Sequence, residues 1–96
     1  MDVIRKNLGR DILRKTTKLL KNSIEYGLKN RDEALKYAMK FGRGIETETA
    51  DKFVGMYVND YTVDMGRKGK DGLLQLQKMG IQAGLLKPSP ITLVDM

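Results

Sequence analysis

The sequence predicts an all-α chain with an extended tail, on three observations. Apolar residues recur at steps of three and four along most of the 96 positions, the spacing of one helix face. Gly and Asn interrupt these stripes where helices should begin and end. No stretch ahead of the closing "KPSPITLVDM" reads as a strand. About four amphipathic helices follow, near residues 10–29, 31–41, 47–60 and 70–83, forming a helical segment over 1–87. Residues 88–96 form the tail.

Each element has its own reason. Residues 2–8, with Val3, Ile4 and Leu8, form a short turn that Gly9 separates from the first helix. In that helix Ile12, Thr16, Leu19, Leu20, Ser23, Ile24, Gly27 and Leu28 share one face, with Arg14, Lys15, Lys18, Lys21 and Glu25 on the other. "NRDEAL" is a start signal: Asn30 can cap the second helix while Glu33 reaches back in a capping box. Asn30 also suits the left-handed end of the helix before it. Leu35, Ala38 and Met39 point inward, and "GRG" at 42–44 stops the helix near Phe41.

Thr47 opens the third helix, with Glu48 and Asp51 in the first turn, where the helix dipole favours negative charge. Ala50, Phe53, Val54, Tyr57 and Tyr61 make its stripe, carrying into "YVNDYTVDMG". Gly55 lies off the stripe and leaves room for close approach of another backbone. "GRKGKDG" at 66–72 is too rich in glycine for a helix interior and reads as a loop or weak first turn. The fourth helix carries Leu73, Leu76 and Ile81 and ends at Gly84, a natural left-handed cap. Pro88 and Pro90 exclude helix from the tail, where "ITLV" would add a strand given a partner.

Composition narrows the function. A chain of this length is one domain or part of one, with a small core. It has 41% hydrophobic and 31% charged residues and neither cysteine nor histidine. Disulfides, Cys/His zinc sites, thiol nucleophiles and histidine triads are therefore excluded. No apolar run reaches the ~20 residues of a membrane span, and no signal-peptide pattern opens the chain, which points to the cytoplasm. The net charge of +6 is uneven: residues 1–44 balance to +7, 45–66 to −4 and 67–96 to +3.

Four groups of residues invite a functional reading, and each has a plainer one. Arg10, Arg14, Lys18 and Lys21 stand about a turn apart, as phosphate contacts would. Aromatics for base stacking are missing among them, and a solvated outer face explains them as well. Gly66, Gly69 and Gly72 with Lys68 and Lys70 have the composition of a phosphate loop without its GxxxxGK[ST] order. Asp60 and Asp64, four apart, lack the further oxygen ligands that Ca²⁺ needs; Asn59 and Asp60 read as turn formers, and Gly66 as the exit from the helix. Tyr57 and Tyr61 are more often packed rings with a wet hydroxyl than acids. No catalytic constellation emerges, and neither a metal nor a cofactor is expected.

Taken together, "SIEYGL", "DEALKYA", the tyrosine-valine-asparagine of "YVNDYTVDMG" and the closing "GLLKPSP" resemble the C-terminal part of the 1,4-dihydroxy-6-naphthoate synthases. These enzymes belong to the futalosine route to menaquinone, and a related futalosine-pathway dehydratase shares some of the pattern. The resemblance runs over most of the chain. It implies a fold like the type II periplasmic-binding proteins, two α/β lobes around a cleft. It further implies lyase-type release of 1,4-dihydroxy-6-naphthoate from cyclic dehypoxanthine futalosine without metal or organic cofactor. The family's proposed catalytic base is a histidine from an earlier part of the chain, and none is present here.

The expectation is thus a catalytically incomplete segment, about the last third of such an enzyme. Tyr57 and Asn59 would sit at the cleft edge, and Asp60 and Gly66 would shape the helix exit. Its partners would be further copies of itself or the missing N-terminal part of the enzyme, with no membrane or nucleic acid involved. The alternative is a small basic helical module whose residues 10–43 bind nucleic acid or another acidic partner, with an affinity that falls steeply with salt.

Overall fold

A computed structural model describes residues 1–94, and all regular structure among them is helical. A 3₁₀ turn at Lys6–Leu8 precedes α1 (Arg10–Lys29), α2 (Arg31–Ala38), a second 3₁₀ turn at Met39–Phe41, α3 (Thr47–Tyr57), α4 (Asp60–Val63) and α5 (Gly66–Gln82). Residues 88–94 follow without regular structure. The chain is therefore all-α, as its periodicity predicts.

α1 starts and stops at its two signals. Gly9 takes φ +90° at the entrance. At the exit, the backbone N–H and the side-chain Nδ2 of Asn30 both donate to the Tyr26 carbonyl, at 3.0 and 2.9 Å. Asn30 thus closes α1 without a left-handed backbone, its φ being −118°. The capping box expected for α2 is absent, because the Asn30 side chain is turned back onto α1.

A capping box does form, further along. The third helix ends at Tyr57 rather than running on to 60, and Val58 and Asn59 take extended backbone ahead of α4. The Asn59 Oδ1 accepts the Tyr61 N–H at 2.9 Å, and the Asn59 N–H donates to the Thr62 Oγ1 at 3.0 Å. The Thr62 hydroxyl donates in turn to the Tyr57 carbonyl at 3.0 Å, tying the new start to the old end.

α5 begins at Gly66, so "GRKGKDG" is helix and not loop. Each helical glycine sacrifices ~1 kcal/mol of propensity against alanine, but local contacts support this first turn. The Asp64 carboxylate accepts the Gly66 N–H at 2.9 Å, and Met65 lies where a Cβ on Gly69 would be, its own Cβ only 2.7 Å from that point. The far end closes as expected. Gly84 is left-handed at φ +72°, its N–H donates to the Ile81 carbonyl and that of Leu85 to the Gly80 carbonyl. That pairing is a Schellman motif. It folds the tail back so that Leu86 sits on Gly80 and the Gln77 side-chain amide donates to the Ser89 carbonyl.

The core is nearly empty. Among the described residues only Leu35 and Ala50, at 6% and 8% exposure, are buried hydrophobics. They lie where α2 packs against α3; α1 touches α2 and α4, while α5 packs only sparsely on the rest. Ala38, expected inward, is exposed, and Met39 is half-buried. The chain exposes 8529 Å², whereas a compact monomer of its mass would expose about 5,600 Å². Its radius of gyration is 16.7 Å, against about 12 Å for a compact chain of this length.

α3 explains part of that surplus. Ala50 and Val54, a turn apart, are buried and half-buried. Phe53, Met56 and Tyr57, on the flank of the same apolar arc, keep 57%, 70% and 66% of their surface exposed. An apolar arc this wide needs more cover than one neighbouring helix gives.

Candidate functional site

The residues singled out from sequence fall in two places. Tyr57, Asn59, Asp60 and Gly66 lie along the α3–α4–α5 corner, and the basic residues lie on α1.

At the corner, Asn59 is fully engaged. Its amide oxygen holds Tyr61, and its amide nitrogen donates to the Met56 carbonyl at 3.4 Å. The Asn59 side chain therefore builds the turn. Tyr57 ends α3 with its ring against Phe53, centroids 4.9 Å apart and planes at 47°. Tyr57 and Tyr61, both on the apolar stripe read from sequence, are exposed in this chain. Asp60, first residue of α4, borders a shallow depression with Glu25, Leu28, Lys29 and Val63, where the end of α1 meets α4. Gly66 takes φ +61° at the start of α5.

On α1, the helical spacing brings Arg14, Lys18 and Lys21 to one shallow groove with Asn22 and Glu25; Arg10 does not line it. The cations there have a carboxylate among them and no aromatic platform. Glu25 borders both depressions, so the basic groove runs into the α1–α4 junction. Among the described residues no group of three or more acidic side chains could hold a metal ion. No described helix is long and apolar enough to cross a membrane.

One arrangement escaped the sequence reading. The Arg31 Nε donates to the Asp51 carboxylate, and its Nη2 donates to the Asp51 carbonyl oxygen at 2.8 Å, so one guanidinium grips α3 twice. A Cβ on Gly55 would stand 2.8 Å from that Nη2. Gly55 does admit a close neighbour, but the neighbour is a side chain and not a backbone. Gly55 follows Asp51 by one helical turn, the one trace this clamp leaves in the sequence; nothing there points to Arg31, 20 residues away.

Among the described residues the chain is thus an open, all-helical arrangement with two buried hydrophobics and shallow surface depressions. Comparison with known proteins gives its family. A family model for menaquinone biosynthesis matches residues 1–82, and the chain belongs to that family. It is 29% identical over 86 residues to a 1,4-dihydroxy-6-naphthoate synthase of Thermus thermophilus, covering 90% of this chain and 32% of that one. It is 24% identical over 84 residues to a 1,4-dihydroxy-6-naphthoate synthase of Streptomyces coelicolor, covering 88% and 30%. The chain thus spans about a third of the length of the curated relatives it matches. No solved structure matches it.

Proposed function

We propose that this chain is the C-terminal helical part of an enzyme of the 1,4-dihydroxy-6-naphthoate synthase kind, and that it performs no catalysis alone. The complete fold would convert cyclic dehypoxanthine futalosine to 1,4-dihydroxy-6-naphthoate, a lyase-type step of menaquinone biosynthesis in the cytoplasm. One observation carries the reading: a family match over residues 1–82 of a chain that spans about a third of its relatives. The residue chemistry supports it. General acid–base work needs a group of suitable pKa within reach of the substrate proton, and with no histidine only Asp, Glu, Lys and Tyr remain for it.

In the complete enzyme, a fold like the type II periplasmic-binding proteins, these helices would cover an apolar face of an α/β lobe. Tyr57 and Asn59 would lie at the edge of the substrate cleft, Asn59 by holding the α3–α4 corner and Tyr57 by its exposed ring. Supplying the purified 96-residue chain with cyclic dehypoxanthine futalosine tests the proposal, with the naphthoate product followed by chromatography. No product above the protein-free blank is expected. Turnover by this chain alone would refute it.

A further inference from the structure

Independently of the function proposed above, we infer that the chain is two cooperative units and not one. α1–α4 form the first. α5, with the tail strapped along it, forms the second, and the strap decides whether α5 is helical.

The joint between the units is a break in the backbone. Asp64 is extended at φ −149°, Met65 is helical at φ −66° and Gly66 is left-handed at φ +61°. The hydrogen bonds of α4 stop at the Asp64 N–H, and those of α5 start at the Met65 carbonyl. Beyond the joint, bonding turns inward. Among the described residues, every side-chain hydrogen bond and ion pair of residues 64–94 goes to another residue of that stretch: Asp64 to Gly66, Arg67 to Asp71, and Gln77 to Ser89. α5 packs only sparsely on the other helices.

Propensity does not hold α5 either. Gly69, Gly72 and Gly80 stand inside its 17 residues, each far poorer than alanine in a helix, and helices persist mainly by packing an apolar face. From residue 71 to 82, the residues shielded from solvent are Leu73, Gln77, Gly80 and Ile81, spaced i, i+4, i+7 and i+8 along one face. The tail supplies their cover. The Leu85 and Leu86 N–H groups donate to the Gly80 carbonyl, the Leu86 side chain sits over Gly80, and Ser89 reaches Gln77, so the tail runs back along this face. Further on, Leu93 and Val94 are half-buried although no regular element holds them. Gly80 thus weakens the helix locally but makes the seat for Leu86. With the strap seated, the stripe is covered and α5 is helical. With it lifted, α5 keeps its glycines, loses its cover and melts, while α1–α4 stay folded.

Hydrogen exchange of the full 96-residue chain, resolved amide by amide by NMR at low temperature, tests the division, because amides that open together exchange together. Leu86 has half of its surface covered. Leu86→Ala should therefore speed exchange of the Leu73–Gln82 amides about 5–10-fold and leave those of α1 and α2 within ~2-fold. Leu35→Ala empties the α2–α3 contact and should speed the α2 and α3 amides at least ~30-fold, with the α5 amides again within ~2-fold. Even a Leu35→Ala chain whose α1–α4 unfold outright should keep the protection of α5. Equal acceleration of α3 and α5 by Leu35→Ala makes the chain one unit and overturns the inference. So do α5 amides without protection in the unaltered chain, or α5 amides that Leu86→Ala leaves unchanged.

Discussion

Replacing Gly55 by alanine sets two known effects against each other, and their balance tests the α2–α3 clamp. In an unencumbered helix interior the change stabilises by about 1 kcal/mol, from lower backbone entropy in the unfolded chain and better helix propensity. Here the new Cβ would lie 2.8 Å from the Arg31 Nη2, closer than carbon and nitrogen tolerate. The guanidinium must move, loosening its grip on the Asp51 carboxylate and carbonyl. The Arg31 and Asp51 side chains are about a third to half exposed. The ion pair itself is therefore worth at most ~1 kcal/mol, and the bond to the carbonyl about as much again. Gain and loss nearly cancel, and Gly55→Ala in the wild-type background should lie within about 0.5 kcal/mol of zero. Arg31→Ala alone should destabilise by about 1–2 kcal/mol. In the Arg31→Ala background nothing obstructs the Cβ, and Gly55→Ala should recover its full ~1 kcal/mol. The cycle therefore predicts a coupling of about 1 kcal/mol between residues 24 apart in sequence. Urea unfolding followed by helical circular dichroism, at one fixed protein concentration, measures all four corners. If Gly55→Ala stabilises equally in both backgrounds, the guanidinium does not lie over Gly55, and the account of the clamp is wrong.

Two further substitutions probe the corner and the tail. Asn59→Ala removes the acceptor for the Tyr61 N–H and should lower stability by about 1 kcal/mol, whereas Asn59→Asp keeps the cap and most of that stability; urea midpoints of the two variants compare them directly. Gly80→Val would displace Leu86, whose Cδ1 lies 2.5 Å from where a Cβ would stand. It should release the folded-back tail, seen as faster hydrogen exchange at the Leu85 and Leu86 amides and earlier proteolysis after residue 84, with α1 unaffected.

Local signals read correctly where partners are near in sequence. Gly9 and Asn30 bound α1 as predicted, Thr47 opens α3, and Gly84 ends α5 with a left-handed backbone. Reading failed where a signal could act in either direction or where the partner was distant. Asn30 can serve the helix before it or the one after, and the sequence alone does not say which; its side chain chose Tyr26. The break at Val58–Asn59 was hidden because the apolar stripe carries on to Tyr61. Its capping box moreover uses Thr62 where glutamate or glutamine is the usual sign. Gly66, Gly69 and Gly72 argued for a loop by propensity, yet contacts from Asp64 and Met65 outweigh it. Of the candidate site residues, Arg14, Lys18 and Lys21 were legible as one group because helical spacing alone puts them together. The Arg31 clamp was not, since a bond across 20 residues leaves no local periodicity.

The openness of the chain bears on how its helices persist. Isolated helices shorter than ~12–15 residues are marginal in water, and most helical stability in proteins comes from packing an apolar face. α2 and α4 have eight and four residues, so neither holds by propensity. α2 relies on Leu35 against α3 and on the Arg31 grip; α4 relies on the Asn59–Thr62 cap and its contact with α1. α3, with 11 residues, is itself marginal, yet it must support α2. Stabilising α3 therefore stabilises the whole middle of the chain, and its open side, Phe53, Met56 and Tyr57, is where the largest gain remains. Any surface that binds there acts on folding as a ligand does, favouring the folded chain over the unfolded in proportion to its affinity and concentration. A contact that completes α3 would thus also steady α2, which packs on it through Leu35 and the Arg31 grip.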